Sequence, residues 1–390
     1  MYFTGKDICS VKSSVTDWKE TKLGEICELL YGKSLPARSR VLGNVPVYGS
    51  NGPVGTHNEY LISGPSIVIG RKGSIGEIHL VKDECWPIDT TYYIDSSVTK
   101  CDLMWLAFYL KNLNLPNLNK AAAVPGLNRN DVYNLPVSLP PLSEQKRIAA
   151  ILNDHMADIA RARAAAEEQL EAAEALSAAY LREIFESKEA KQWPKVRLGD
   201  HASKIGSGVT PRGGQAAYKP EGIPLIRSQN IYLNRFVPNG LVFIDQEQDQ
   251  KMRNSRVEKG DVLLNITGAS IGRVCVVPDE ICPANVNQHV SIIRTGILNP
   301  DYLSFYMSNP VFQRFIMNSQ SGATRQALTK SMIEDFFIPC PPTKIQLKIV
   351  KDILHRIKIS EKIITDLRLQ MQTIDAIPSA VLNKAFNGEL

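Results

Sequence analysis

The chain has short clusters of basic and polar residues at predicted turns. Their residue types could bind a charged or hydrogen-bonding ligand. Arg71 and Lys72 lie at a turn between two β-rich runs and are followed by Gly73 and Ser74. Small residues let backbone N–H groups approach a phosphate, and the two cations supply the opposite charge. This pattern predicts contact with a nucleic-acid backbone, and a solvated surface loop is the plain alternative.

Arginine, asparagine and glutamine, which hydrogen-bond base edges through two atoms at once, recur in the second half. Residues 227–230 and 287–289 form two such clusters, and both also fit local turn caps. Asn128-Arg129 and residues 324–326 precede two long helical patterns in equivalent places. The predicted nucleic-acid contacts are Lys33, Asn51, Arg71, Lys72, Ser74, Asn128, Arg129, Arg212, Arg227, Ser228, Gln229, Asn230, Asn287, Gln288, Arg325, Gln326 and Lys330.

Residues that would support catalysis are not grouped in the sequence. Gly32-Lys33-Ser34 resembles part of a phosphate-binding loop, but Cys27 occupies the position of the required earlier glycine. The six histidines are isolated, and the seven cysteines include no CxxC pair. We therefore expect a recognition protein with no catalytic residue, metal site or cofactor of its own.

The composition is that of a globular protein, with 44% hydrophobic and 22% charged residues and a net charge of +5. The mildly basic balance permits nucleic-acid binding without requiring it. No run approaches the roughly 18 apolar residues of a membrane span, and scattered, unpaired cysteines fit a reducing compartment. We expect a cytoplasmic protein without membrane contact.

The chain contains an internal repeat. Trp18 and Trp193 each open a copy, and Ser74-Ile75-Gly76 matches Ser270-Ile271-Gly272 further on. The offset between copies grows from 175 residues at the tryptophans to 201 at Gln145 and Gln346, and then stays constant. Loops tolerate such length changes, whereas each residue inserted into a helix turns its face by about 100°. Each copy is therefore a variable binding domain followed by a helix of fixed length.

Each binding domain mixes β-rich runs such as SIVIG and DVLLNI with turns and with helices at 102–112 and 301–318, which indicates an α+β fold. The predicted organisation is an N-terminal extension over 1–17, a first recognition domain over 18–142, a first long helix over 143–190, a second recognition domain over 191–341 and a second long helix over 342–390. Ser143, after two prolines, is the expected N-cap of the first helix.

The two long helices carry apolar residues every three or four positions, as coiled coils do. The first has 7 basic and 10 acidic residues over 143–192, and the second has 8 basic and 5 acidic residues over 343–390. Opposite net charge favours pairing of the two helices with each other. A pseudo-twofold repeat would make that pair antiparallel, so we predict two globular domains separated by two antiparallel coiled-coil helices. Pro378 is expected to kink the second helix near its end.

Several long strings resemble the specificity subunits of Type I restriction–modification systems over residues 18–390. They are VYGSNGPVG, GPSIVIGRKGSIG, WPIDTTYY, AVPGLNRNDVYNLPVSLPPL, the junction LPPLSEQKRIAAIL and the ending NKAFNGEL. The second junction departs from the pattern, because Thr343, Lys344 and Ile345 replace the Leu-Ser-Glu of the first copy. That departure weakens inferences about those side chains rather than about the helix.

The resemblance implies a non-catalytic subunit whose two recognition domains each read one half of an asymmetric double-stranded DNA site. The helices would set the gap and dock two methyltransferase subunits that carry S-adenosylmethionine. Restriction subunits using ATP and Mg²⁺ would complete the complex. Two alternatives stay open: a coiled-coil scaffold that binds proteins, and a self-contained enzyme with unrecognised motifs. The scaffold alternative predicts no salt-sensitive DNA binding. The enzyme alternative predicts cofactor binding or turnover by the purified chain alone.

Overall fold

The structure, a computed structural model, describes residues 18–118, 126–319 and 327–390. Within these residues the chain divides into two compact units. Unit 1 comprises the described residues up to Glu167 together with Leu369–Leu390, and unit 2 comprises those of Glu168–Arg368. Each unit therefore contains part of both long helices that the sequence predicts.

Unit 1 is a mixed α+β domain. Its elements, ending with the long helix that leaves it, are β1 (Lys19–Lys22), α1 (Leu23–Ile26), β2 (Leu30–Tyr31), β3 (Val45–Gly49), β4 (Gly52–His57), β5 (Ser66–Gly70), β6 (Ile78–Val81), β7 (Trp86–Pro87), β8 (Thr91–Asp95), α2 (Leu103–Asn112), α3 (Arg129–Tyr133), β9 (Pro136–Leu139) and α4 (Leu142–Phe185). The sheet orders are β2-β8-β5-β6, β4-β3-β7 and β1-β9. The run SIVIG forms β5 and is buried throughout, as a strand covered on both faces requires.

Unit 2 is also a mixed α+β domain, with several secondary-structure elements more than unit 1. In chain order they are β10 (Lys195–Arg197), α5 (Leu198–His201), β11 (Ala202–Ser207), β12 (Ile223–Ile226), β13 (Ile231–Tyr232), β14 (Arg235–Phe236), β15 (Val242–Ile244), α6 (Gln246–Lys251), β16 (Arg256–Val257), β17 (Val262–Asn265), β18 (Val274–Val276), β19 (Ala284–Val286), β20 (Val290–Thr295), α7 (Pro300–Ser308), α8 (Pro310–Asn318), α9 (Lys330–Glu334), β21 (Phe337–Pro339) and α10 (Thr343–Phe386). The sheet orders are β11-β20-β17-β18, β15-β12-β19-β16, β10-β21 and β13-β14.

The two units share one topology, which confirms the predicted α+β class and the internal repeat. The sheet β2-β8-β5-β6 corresponds to β11-β20-β17-β18, and the parallel pair β3/β7 corresponds to β12/β19. The hairpin β13-β14 and helix α6 are the insertions that lengthen the second copy. The helix predicted at 301–318 is two helices, because Asn309 is extended before Pro310 and its side chain caps α8.

Each unit is completed by the end of a long helix from the other sequence copy. Phe386 of α10 meets Tyr109 of α2 edge-on in unit 1, with ring centres 5.0 Å apart. Phe185 of α4 meets Tyr306 of α7 in the same way in unit 2, at 5.3 Å. Both phenylalanines are buried in the core of their unit. The hydrophobic core of each unit is therefore built from residues of both sequence copies.

The helices α4 and α10 are each 44 residues long, and their segments run antiparallel within each unit. Pairing residues rise in number along one helix and fall along the other: Arg147 with Leu390 and Arg163 with Asp375 in unit 1, and Glu174 with Arg368 and Glu183 with Arg356 in unit 2. The three ion pairs among these contacts are exposed and add little free energy, but they agree with the predicted charge complementarity. The helix α10 continues through Pro378.

Both long helices begin at a proline carbonyl rather than at a capping side chain. The backbone N–H of Gln145 donates to Pro141 at 2.9 Å, and that of Gln346 donates to Pro342 at 3.1 Å. The prediction that Ser143 is the N-cap is wrong, because this serine lies inside the first turn. The second proline of each junction therefore both ends the domain and starts the helix.

A buried glutamine then fastens each helix to its domain. The side-chain oxygen of Gln346 accepts from the backbone N–H of Asn299 at 2.8 Å, and its amide nitrogen donates to the carbonyl of Pro341 at 2.9 Å. Asn299 is the N-cap of α7. Gln145 bonds in the same way to Asp102, the N-cap of α2, at 2.9 Å. The glutamine retained in both junctions is thus a clamp between the helix and the recognition fold.

Replacing Gln346 with alanine is expected to lower the free energy of unfolding of unit 2 by about 2–4 kcal/mol, because a buried N–H and buried carbonyls lose their partners. The measurement is the thermal unfolding midpoint, with hydrogen exchange of the Asn299 amide as a local readout. Gln250→Ala, on an exposed position of α6 in the same unit, is the control and should change little. Equal effects of the two substitutions would contradict the clamp.

Candidate nucleic-acid interface

In unit 1 several predicted contact residues lie around one backbone carbonyl, which accepts hydrogen bonds from two loops. The carbonyl of Thr90 accepts from the backbone N–H groups of Arg71 at 2.9 Å and Lys72 at 3.1 Å. It also accepts from the hydroxyl of Ser50 at 2.6 Å, which places the β3-β4 turn and Asn51 beside the β5-β6 loop. Residues far apart in the sequence, Asn51 and Arg71–Lys72, therefore belong to one corner of the domain.

An exposed tyrosine organises the two arginines of this corner. The guanidinium carbons of Arg71 and Arg129 lie 5.1 and 5.4 Å from the ring centre of Tyr31, which is 52% exposed. Leu127 donates its N–H to the carbonyl of Arg71 at 2.9 Å and so holds the start of α3 at the same place. The arrangement offers two cations and an aromatic face, the groups that bind phosphates and stacked bases.

Behind this surface Tyr92 supports the loop that holds α3. Burial raises the pKa of the Tyr92 phenol, and the neighbouring Tyr31 raises it further, while Arg71 acts in the opposite direction. The phenol therefore keeps the proton that it donates to the carbonyl of Leu127 at 3.1 Å. The ring of Tyr92 also meets Tyr31 edge-on at 5.0 Å. These contacts fix the orientation of the exposed tyrosine.

Further cations border the corner. Lys72 is exposed beside Arg71, and the ammonium group of Lys33 lies 5.7 Å from the ring centre of Trp86. A terminal guanidinium nitrogen of Arg71 donates to the carbonyl of Asp89 at 2.7 Å. That bond anchors the arginine and leaves other N–H groups of a five-donor side chain for a ligand.

The corresponding corner of unit 2 has the same backbone frame and different side chains. The N–H of Ile266 donates to the carbonyl of His289 at 3.0 Å, as that of Arg71 does to Thr90. Ile266 thus occupies the place of Arg71, and among the described residues no tyrosine–arginine cluster stands at the position equivalent to Tyr31. Gln229 follows β12 where Asn51 follows β3.

A second arginine–tyrosine cluster stands on the hairpin inserted in unit 2. The guanidinium carbons of Arg273 and Arg235 lie 4.6 and 5.3 Å from the ring centre of Tyr232, which is 36% exposed. Beside it is an open cleft of about 460 Å³, and its lining includes Ser228, Gln229, Thr267, Gly268, Ser270 and His289. Both units therefore present an exposed tyrosine with two arginines, built on different elements.

Several predicted amides have structural roles in the fold. Asn230 is fully buried, its amide nitrogen donates to the carbonyl of Val237 at 2.9 Å, and its oxygen accepts from the N–H of Arg227 at 3.0 Å. Asn128 caps α3, and Asn287 accepts from the backbone of the residue two positions on. The turn-cap alternative, which concerned the second-half clusters, describes the contacts of Asn230 and Asn287. Both amide atoms of Asn230 are bonded inside the fold, so neither is available to a base.

The remaining predicted residues lie at the surface or have neighbours of their own. Arg212 and Gln229 are exposed, and Ser74 is half-buried. The guanidinium of Arg227 donates to the carbonyl of Gly240 at 2.6 Å, and Lys330 forms an exposed ion pair at 3.6 Å with Glu334. Arg325 and Gln326 lie outside the described residues.

Tyr31, Tyr232 and Arg273 were not among the predicted contacts. For the two tyrosines the signal in the sequence was an aromatic residue at the end of a two-residue apolar run, which is weak on its own. Among the described residues no helix is long and apolar enough to cross a bilayer. In the same ranges no group of histidine, cysteine and acidic side chains is placed to hold a metal ion.

Comparison with known proteins gives matches of one kind. The family model of the Type I restriction modification DNA specificity domain matches residues 16–172 and 190–369. The EcoBI specificity subunit of Escherichia coli is 26% identical over 310 residues, which span 72% of this chain and 64% of the relative. The MjaVIII specificity subunit of Methanocaldococcus jannaschii is 20% identical over 403 residues, spanning 96% and 93% of the two chains.

Solved structures agree in fold. A chain solved in work on complex assembly and conformational transition of the type I R-M system superimposes with a TM-score of 0.72 at 20% identity, covering 96% of this chain and 98% of its own. The crystal structure of the HsdS subunit from Thermoanaerobacter tengcongensis gives 0.61 at 20% identity, with coverage of 96% and 97%. At this identity the likeness shows the fold alone.

Proposed function

The chain belongs to the family of Type I restriction–modification DNA specificity domains, and from that premise we propose that it reads an asymmetric, bipartite DNA target, one half with each unit. Family membership confirms the prediction of a Type I specificity subunit, and the absence of catalysis by this chain is part of our proposal. The two-part reading, the fixed gap and the docking of partners are our proposal.

The repeated corner is the observation that carries this proposal. In each unit the loop after the equivalent central strand donates a backbone N–H to one carbonyl, Thr90 or His289, and an exposed tyrosine with two arginines stands beside it. The two units share this backbone arrangement but differ in the side chains that they expose on it. Such a difference is expected of two domains that both bind DNA and recognise different base sequences. Arg71 in unit 1 and Thr267 in unit 2 would then contact different bases.

The long helices are proposed to fix the gap between half-sites and to dock two methyltransferase subunits. The methyltransferases would carry S-adenosylmethionine, and restriction subunits using ATP and Mg²⁺ would join them, so this chain needs no cofactor. The helix α10 has exposed apolar residues such as Leu347, Leu354 and Leu369, which suit a protein partner. Such a complex would act in the cytoplasm, where the DNA is.

The deciding experiment is a map of N6-methyladenine in a host without Type I systems that expresses this chain with its modification subunit. We expect methylation at a split motif with a fixed gap, and none when this chain is omitted. Methylation that is unsplit, or that persists without the chain, would refute the proposal. DNA binding that does not weaken with salt would favour the protein scaffold.

A further inference from the structure

A chain of hydrogen bonds crosses the surface of unit 2 and ends at its open cleft. The hydroxyl of Thr210 donates to the side-chain oxygen of Gln288 at 2.5 Å. The amide nitrogen of Gln288 lies 2.9 Å from Nε2 of His289, and Nδ1 of His289 lies 2.6 Å from the hydroxyl of Thr267. Four side chains from three segments of the unit are thereby linked in series.

The direction of this chain follows from what each group can donate. An amide nitrogen only donates, so Nε2 of His289 accepts from Gln288 and carries no proton. The ring proton is then on Nδ1 and is donated to the oxygen of Thr267. Thr267 accepts within the protein, and among the described residues its own hydroxyl proton has no acceptor. The chain therefore prepares Thr267 as a donor.

The position of Thr267 suits contact with DNA. It lines the cleft together with Gly268, and a Cβ added at Gly268 would have no atom within 4 Å, so the rim is open. Arg273 over the ring of Tyr232 supplies positive charge at the same cleft. In the repeat, Thr267 bridges to Ala327 as Lys72 bridges to Gly126, which places the threonine at the corner already described.

We propose that Thr267 is a specificity-determining residue that donates its hydroxyl proton to a base-edge acceptor in the second half-site, with Gln288 and His289 as positioning residues. This inference rests on the proposed function. The acceptors in the major groove are purine N7, guanine O6 and thymine O4, whereas cytosine presents an amino donor. A cytosine placed opposite Thr267 offers no acceptor for the hydroxyl proton at that edge, so it is disfavoured relative to the other three bases.

The test uses the complex of the full chain with its modification subunit and duplexes that carry every single base-pair change in the second half-site. At one base pair of the second half-site, the wild-type complex should methylate a changed duplex about tenfold more slowly than the cognate one. We expect Thr267→Val to abolish this difference at that base pair and to leave the discrimination at the other positions unchanged. Thr267→Ser should keep the wild-type profile. Gln288→Leu should flatten the same position, because the orientation of the histidine is lost.

Thr56→Val, on an exposed position of β4 in unit 1, is the matched control and should leave the second half-site profile as in the wild type. A Thr267→Val profile that matches wild type, or that falls equally at all positions, would overturn the specificity role. An unchanged Gln288→Leu profile would overturn the positioning role. Failure of the proposed function is visible separately, because the wild-type complex would then show no split target.

Discussion

Lengthening α4 and α10 by four residues each is expected to abolish methylation at the original target and to create a target whose gap is one or two base pairs longer. Four residues add about 6 Å to a helix, and a base pair occupies about 3.4 Å. Duplicating residues 165–168 and 365–368 puts both insertions where the chain passes between the two units. The pairs Arg163–Asp375 and Glu174–Arg368 within each unit then stay intact.

The measurement is again a map of N6-methyladenine, made with the lengthened chain and its modification subunit. Duplicating seven residues in both helices adds about 10 Å and should lengthen the gap by about three base pairs. Duplicating four residues in α4 alone is the control, which should lower the melting temperature and give no new target. A lengthened, stable chain that still methylates the original gap would show that the helices do not set the distance.

The sequence was sufficient to predict the organisation of the chain because its signals are repeated. A constant offset of 201 residues over the helical part required two helices of equal length, and the structure has 44 residues in each. The strand SIVIG and the helix predicted at 102–112 were also found, since long apolar periodic runs have few other structures to adopt. The break at Asn309 was missed, although Pro310 was a warning of it.

The candidate site was predicted only in part, because its geometry depends on contacts between distant segments. Arg71 and Asn51 were predicted separately, and only the bonds to Thr90 show that they share a corner. Asn230 has the side chain of a base reader but is buried and bonded to backbone. Tyr31 was missed because its role is to hold Arg71 and Arg129 against its ring, and only the fold brings those two arginines together. Residue type is visible in a sequence, whereas exposure and free hydrogen-bonding capacity are not.

Replacing Arg71 with alanine is expected to slow methylation of the cognate target by about 10- to 100-fold, the loss typical of an arginine that contacts a base or a desolvated phosphate. Arg71 is held at the corner by Tyr31 and by its bond to the carbonyl of Asp89, so little of its conformational freedom remains to be lost on binding. Arg71→Lys should recover only part of the rate, because an ammonium group keeps the charge without the planar set of donors. The rate is measured on duplexes that vary each half-site separately.

The control must remove a positive charge from the same domain at a different place. Lys82 is exposed just beyond β6, and the pairing of Ser66 with Val81 puts it at the opposite end of the β5-β6 hairpin from Arg71. If the corner binds DNA, Lys82→Ala keeps the wild-type rate, and Arg71→Ala relaxes the sequence requirement in one half-site only. Equal losses from both substitutions would instead point to general electrostatic attraction. If Arg71→Ala methylates the same target sequence at the wild-type rate, Arg71 does not contact DNA, and the DNA-binding surface of unit 1 is not the corner around Tyr31.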